Sequence, residues 1–363
     1  MKKLVFFLIV IYIMNVYTDM DLKDIYNTSI NKAILLGENI DLIKEGILQD
    51  KYTIKSNENK FDVDSNSNNI ETIVQSSTTS SKIDNFCNIK LGTSENEVIS
   101  LIGNPSRIDL SEYGFNWYVY NQYKNKFAMV GIDNGKVVGL YTNSLQSNLI
   151  KTINFSKDRT YVLSKYEPLE YKKKGYTKFI ISSKGEYDVL EFRDMYVTVF
   201  YDIYNSYKII SYQIIDKNTE DKSKDIYPEY SEDLRESFER EVIDLTNSVR
   251  DKYNLSRVKY DNKAQASSRK HSLDMKQNNF FDHINLRGQD PFDRMKTENI
   301  NYKLAGENIA AGQTSAIFAH EAWMNSEGHR KNILNNYEKL GVGVEFGGNY
   351  KIYYTQNFYT DLR

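Results

Sequence analysis

A single cysteine, Cys87, among 363 residues excludes an internal disulfide, so stability must come from burial rather than covalent staples. Strand-like flanks give that cysteine the role of a small buried apolar residue rather than a reactive thiol. Neither sign of charge dominates. Lys and Arg number 47 against 49 Asp and Glu, a net charge of -2 with pI near 6.2, so the chain as a whole gives no electrostatic argument for nucleic acid or an anionic membrane surface. Proline is scarce at four and tryptophan at two, while tyrosine reaches 29, a composition bias from which no function follows.

Long apolar runs are also missing, with one exception at the start. Lys2-Lys3 precede an apolar stretch from Leu4 to Val16 broken only by Asn15. That stretch is shorter than the roughly 20 residues a membrane span needs. Residues 1–19 therefore read as a signal peptide, with an uncleaved anchor as the alternative because no clear small-residue cleavage site follows. Either way the body of the protein is expected to leave the cytoplasm, secreted or held at the membrane by residues 4–16.

Residues 20–82 read as weakly helical and then, from Ser56 to Ser81, as a Ser/Asn/Thr/Asp-rich tether too poor in apolar surface to offset ordering entropy. From 83 to 216 the pattern becomes strands and turns with an internal repeat. Glu97 to Pro105 parallels Thr160 to Pro168, each a short helical segment stopped by proline. Alternating runs follow each: Trp117–Tyr120, Phe127–Ile132 and Lys136–Tyr141 in the first, Val189–Phe192, Tyr196–Tyr201 and Lys208–Ile214 in the second. Asp133-Asn134-Gly135 is a hairpin signal. This region has no histidine, which points to binding or positioning rather than catalysis.

Residues 217–232 are polar, contain Pro228 and read as a linker. From 233 to 363 the periodicity turns helical. Leu234, Phe238, Val242, Leu245 and Val249 recur at helical spacing; further helices are expected at 262–277 and 314–325, and a closing hairpin turns at Gly347-Gly348-Asn349. The expected whole is a mixed α/β protein: a C-terminal three-layer α-β-α sandwich preceded by a separate α+β domain built of two weak repeats.

All four histidines, His271, His283, His320 and His329, fall in this last third. His283, Glu307 and His329 are separated by 24 and 22 residues, which permits convergence without forcing it, and no HExxH or CxxC signature stands beside them. Glu307 is equally open to holding a loop, and His329 to capping a turn. His271 and His320 lie on expected helices, where surface or half-buried positions are the default.

Several ordered blocks carry a resemblance: Phe280-Phe281-Asp282-His283, Pro291-Phe292-Asp293-Arg294-Met295, Gly306-Glu307-Asn308-Ile309-Ala310, Trp323 through Gly328-His329-Arg330 to Leu334, Gly341-Val342-Gly343-Val344 and Tyr354-Thr355-Gln356-Asn357-Phe358. Residues 237–360 resemble the CAP superfamily (cysteine-rich secretory protein, antigen 5, pathogenesis-related 1) in its cysteine-free bacterial branch. Residues 85–215 resemble the associated domain that precedes such bacterial domains. The resemblance implies a sandwich with a cleft holding two histidines and two acids, able in animal and plant members to bind a divalent ion such as Zn2+. Carried over by position, His283 and Glu307 match the first histidine and acid. Ser326 stands at the second acid, with Glu327 adjacent, and Tyr353 stands at the second histidine. His329 is the candidate to replace the missing imidazole, so His283 and His329 are the expected metal ligands, with micromolar or poorer affinity. Glu307 and Glu327 are the candidate catalytic carboxylates.

Family members differ in activity, so fold is better determined than function. Three readings follow. The first is a secreted or cell-surface module whose cleft binds a small molecule, lipid, glycan or peptide, with contact to the cell envelope and to the membrane only through an uncleaved leader. The second is a metal-assisted hydrolase or protease of envelope material. The third is a protein–protein interaction module with a purely structural cleft.

Overall fold

The computed structural model describes residues 55–56, 89–122, 124–144 and 153–362. The expected leader, the greater part of the expected tether and Cys87 lie outside them.

The first domain is a seven-stranded antiparallel sheet, and its topology explains the sequence repeat. Each half begins with a short helix: α1 (Glu95–Ile102), capped by Ser94, and α2 (Arg159–Leu163), capped by Asp158. The first half then supplies β2 (Arg107–Leu110), β3 (Asn116–Tyr120), β4 (Ala128–Asp133) and β5 (Lys136–Thr142). The second half supplies a separate two-stranded hairpin, β6 (Tyr171–Lys174) and β7 (Thr177–Ile180), then β8 (Tyr187–Glu191), β9 (Met195–Asp202) and β10 (Lys208–Asp216). The sheet order is β2-β3-β4-β5-β10-β9-β8, so the two meanders join through the antiparallel pair β5·β10 at the centre. Val98, Ile102 and Val162 from the two helices cover one face of the sheet.

The segment expected as a linker differs in part. Lys217–Lys222 forms α3, and its Glu220 is buried, accepting from Lys172, Lys174 and Tyr113. Polarity alone suggested solvation; three donors converging on one carboxylate explain why this polar segment is ordered.

The second domain is the expected three-layer sandwich. Its helices are α4 (Glu232–Lys252), α5 (Asn262–Asn278), α6 (Pro291–Thr297), α7 (Ala316–Met324) and α8 (Glu327–Ile333). Its sheet contains β11 (Lys259–Tyr260), β12 (Tyr302–Ala311), β13 (Lys339–Phe346) and β14 (Ile352–Asp361) in the order β12-β14-β13-β11, and the two-residue strand β1 (Lys55–Ser56) pairs with the free edge of β12. Helices α5 and α6 cover the face that carries Glu307 and Asn357, while α4, α7 and α8 cover the face that carries Asn308, Tyr354 and Gln356. Gly341 and Gly343 let α5 approach closely: a Cβ at either position would stand 1.9 and 2.1 Å from the backbone nitrogens of Gln265 and Arg269. Ser268 and Ser272 use that proximity to donate to the carbonyls of the same two glycines.

The other face of the first sheet, with Phe115, Trp117, Met129, Tyr141 and Phe200, shares one apolar cluster with Leu234, Phe238, Val242 and Leu245 of α4 and with α7. Polar bonds lock this junction. Arg330 makes a two-pronged pair with Asp202 at 3.0 and 2.8 Å, Asn325 donates to the Tyr201 carbonyl at 2.8 Å, and the buried Glu321 accepts from Tyr141 and Ser211. The first domain therefore covers the helical layer opposite α5 and α6.

Candidate functional site

The site is assembled around Glu307, in the middle of β12 and fully buried. Three further groups come from one side of the sheet. Helix α5, capped by Asp261 and ended by left-handed Asn279, delivers His271. The loop that follows delivers His283, held by a turn in which Asn285 accepts from the amides of Arg287 and Gln289. Helix α6 starts on the Asp290 cap with Pro291 in its first turn and delivers Arg294.

Arg294 connects these pieces. Its Nη2 donates to both Glu307 oxygens at 2.8 and 2.7 Å, while Nη1 donates to the His283 carbonyl at 2.7 Å and the Gln289 carbonyl at 3.0 Å. His283 Nδ1 lies 2.9 Å from Glu307 Oε1. Because an ionised carboxylate only accepts, the His283 proton is on Nδ1, and the ring orientation is fixed. With its amide nitrogen turned toward Glu307, Asn357 donates to Oε2 at 3.0 Å. Burial by itself would raise the Glu307 carboxyl; Arg294, then His271 and His283, overcome it and hold it at about 2. His271 is fully buried, its Nε2 bonded to the Asp282 carbonyl at 3.0 Å and 3.9 Å from Glu307, and burial lowers it to about 4.

From the opposite layer, α8 brings His329, half-buried and lowered to about 3 by burial and then by its electrostatic coupling to His283. Asn332 of the same helix donates to the Glu307 carbonyl and to Asn308, and Asn308 donates onward to Gln356 and to the His329 carbonyl. Beside the site lies an aromatic shelf: partly buried Phe280, Phe281 and Tyr350, packed over Met275 and Ile309.

Of the sequence candidates, then, the structure joins His283 directly to Glu307 and brings His329 into electrostatic range. The others stand elsewhere. Glu327 projects into solvent with its side chain 72% exposed and pairs with Lys331 one turn on, so it is not part of the buried carboxylate unit. Ser326 is the N-terminal flank of α8 and makes no capping bond. Tyr353 is buried in β14 opposite Ala311, two cross-strand pairs beyond the Thr355 that faces Ile309's position and farther still from Glu307, and its hydroxyl accepts from the Tyr350 amide. Two expectations for helical histidines are corrected. His271 is not a surface residue but part of the site, and His320 is fully buried with no protein partner on either ring nitrogen. Sequence reasoning gave Arg294 no role, although the Pro-Phe-Asp-Arg block was a visible signal.

The donor set does not fit a resident divalent ion. Glu307 is committed to a guanidinium and an imidazole, and His271 to a carbonyl, so two imidazoles remain where zinc sites use three or four protein ligands. Among the described residues no group of three or more His, Cys, Asp or Glu has a geometry that would hold a metal. The Glu307–His283 bond fixes the tautomer and orientation of the imidazole.

Known proteins share this architecture. Residues 91–226 match the family model for the CAP-associated N-terminal domain, and residues 243–358 match that of the cysteine-rich secretory protein family, CAP. The chain is 32% identical over 289 residues to a protein of Bacillus subtilis (strain 168) named as the membrane protein YlbC, spanning 74% of this chain and 82% of that one. An extracellular protein containing an SCP domain from Bacillus anthracis str. Ames superposes with a TM-score of 0.65 at 27% identity, over 81% of this chain and 99% of that one. A cysteine-rich secretory protein of Staphylococcus aureus shares the fold, with a TM-score of 0.59 at 18% identity over 74% and 93% of the two chains. The protein belongs to the CAP superfamily, as a bacterial-type member with a CAP-associated N-terminal domain. Among the described residues no helix is long and apolar enough to cross a membrane.

Proposed function

We propose that the protein is an extracellular binding module of the cell surface, and that its cleft takes a peptide or glycan segment by hydrogen bonds to His283 and His329 against the aromatic shelf. The observation that carries this reading is the Arg294–Glu307–His283 unit. It fixes an imidazole, with 13% of its side chain exposed, on a carboxylate whose charge is already neutralised. A preorganised ring of this kind binds without the entropic cost of being positioned. A general base needs a carboxylate or imidazole poised near neutral pH, and Glu307, held near 2 and committed to Arg294, His283 and Asn357, does not act as one. The extracellular placement rests on the apolar leader in the sequence and on the relatives' extracellular and membrane names.

One feature favours a second reading, hydrolysis: a carboxylate-oriented histidine is also the geometry of a catalytic dyad. One titration separates the two. Soluble peptidoglycan fragments and short peptides are added to the full chain while melting temperature and fragment release are followed. A saturable rise in melting temperature that disappears in folded His283→Ala and His329→Ala supports binding. Fragment release lost in the same variants would establish hydrolysis. No response from either probe class would leave the cleft structural and the proposal wrong.

A further inference from the structure

We propose that the β6–β7 hairpin of the first domain docks on an anionic lipid surface. The register pairs Tyr171 with Ile180 and Lys173 with Lys178 on one face, and Lys172 with Phe179 and Lys174 with Thr177 on the other. The inward face is anchored. Lys172 and Lys174 grip opposite oxygens of buried Glu220 at 2.8 and 2.7 Å, which fixes the hairpin to α3. The outward face has no such function in the fold. Lys173 and Lys178 stand directly opposite each other, an unfavourable cross-strand pair, and neither has a carboxylate partner among the described residues. Lys178 instead lies over the Tyr171 ring at 4.1 Å.

Apolar side chains accompany these cations. Ile180 is 74% exposed, Tyr171 is exposed, and Tyr176 stands wholly in solvent at the tip. The two-residue loop places Gly175, at φ +57, first and Tyr176 second, a type II′ arrangement that projects the tyrosine. An acidic polymer in water would need only the lysines. Tyrosine and isoleucine beside them gain free energy where an apolar layer underlies anionic headgroups, with the lysine ammoniums at headgroup level. The balanced net charge of the whole chain hides this local patch.

The test uses the full chain carrying Tyr176→Trp. Both native tryptophans, Trp117 and Trp323, are buried, so the new indole alone reports contact with a quencher. Vesicles of equal parts phosphatidylcholine and phosphatidylglycerol, with spin-labelled lipid as quencher, are compared with phosphatidylcholine alone. We expect quenching in the anionic vesicles only, weakened by salt, and an apparent affinity about thirtyfold lower when Lys173→Ser and Lys178→Ser are added, at about 1 kcal/mol per surface lysine. Because the readout sits at the hairpin tip, vesicle binding through any other segment leaves it unchanged. Cosedimentation without quenching, or equal quenching on both vesicle types, would overturn the proposal. So would binding of soluble polyphosphate that leaves the anionic vesicles unquenched, since it would make the partner a polymer.

Discussion

Replacing Arg294 with methionine keeps most of the side-chain stem and removes the guanidinium that compensates Glu307. The carboxylate then stays buried, with His283 and Asn357 as its remaining donors. Two estimates of the cost agree. Breaking a buried pair by deleting one partner costs about 3–5 kcal/mol. Independently, holding the carboxyl at about 2 rather than 4.5 stabilises the fold by about 3 kcal/mol at neutral pH. The melting temperature should fall by about 10 °C.

The sign of the pH dependence provides the sharper check. In the wild type the folded carboxyl lies below its unfolded value, so its contribution is complete above pH ~4.5 and is lost as pH falls toward 2. In Arg294→Met burial is no longer countered and the folded carboxyl rises above its unfolded value, so the variant gains relative stability on acidification. The gap between the two proteins, measured by urea unfolding, should therefore be largest at pH 7 and shrink toward pH 4. Adding Glu307→Gln should recover much of the loss by removing the orphaned charge. A loss below about 1 kcal/mol, or a gap constant from pH 7 to 4, would refute the reasoning, because a buried unpaired carboxylate cannot be so inexpensive.

Other parts of the structure give separate tests. His320, buried without a partner and lowered to about 3 by burial and then by Lys252, withholds a proton that the unfolded chain accepts near 6.5, so stability is lost as pH falls from about 6.5 toward 3. His320→Leu should flatten that acid limb and add about 1 kcal/mol at pH 7 in urea titrations; an unchanged pH profile would contradict the assignment. Gly341→Ala places a Cβ 1.9 Å from the Gln265 nitrogen, and should cost at least about 3 kcal/mol by pushing α5, and His271 with it, off the sheet. Calorimetry showing a near-neutral change would mean that α5 is not seated as described. Arg330→Ala should cost about 2 kcal/mol and raise amide exchange at Ile203, which donates to Asn325 across the same junction; unaltered exchange would show that the Asp202 pair does not hold the domains together.

How far the sequence could be read depends on where polar groups went. Helix α4 was legible because one stripe of Leu, Phe and Val meets a core while the other side stays charged. The two meanders were legible from alternation and the Asp-Asn-Gly turn, though nothing in either half announced that β5 and β10 would join them. Strand β12 was not legible. It is covered on both faces and buries Glu307 and Asn308, whose partners Arg294, Asn332 and Gln356 are remote in sequence, so it shows no apolar-polar alternation. The β6–β7 hairpin was missed because four lysines in ten residues read as a solvated loop until Glu220 is seen beneath two of them.

For the site, the family resemblance placed His283 and Glu307, and the structure joins them. It could not place Arg294 or His271, whose roles arise from convergence on one carboxylate rather than from spacing. The closeness of α5 to β13 was written in Gly341 and Gly343, which read only as strand residues until the helix is set against them.

The most direct measurement is of the histidine ring nitrogens by 15N NMR on the full chain, without and with one equivalent of zinc. We expect His283 protonated on Nδ1 by its bond to Glu307, and ring resonances of His283 and His329 that one equivalent of metal leaves in place. Stoichiometric zinc shifts at the ring nitrogens of both His283 and His329, with His283 Nδ1 still protonated on Glu307, would show instead that the cleft is built as a metal centre in which Glu307 orients a metal ligand.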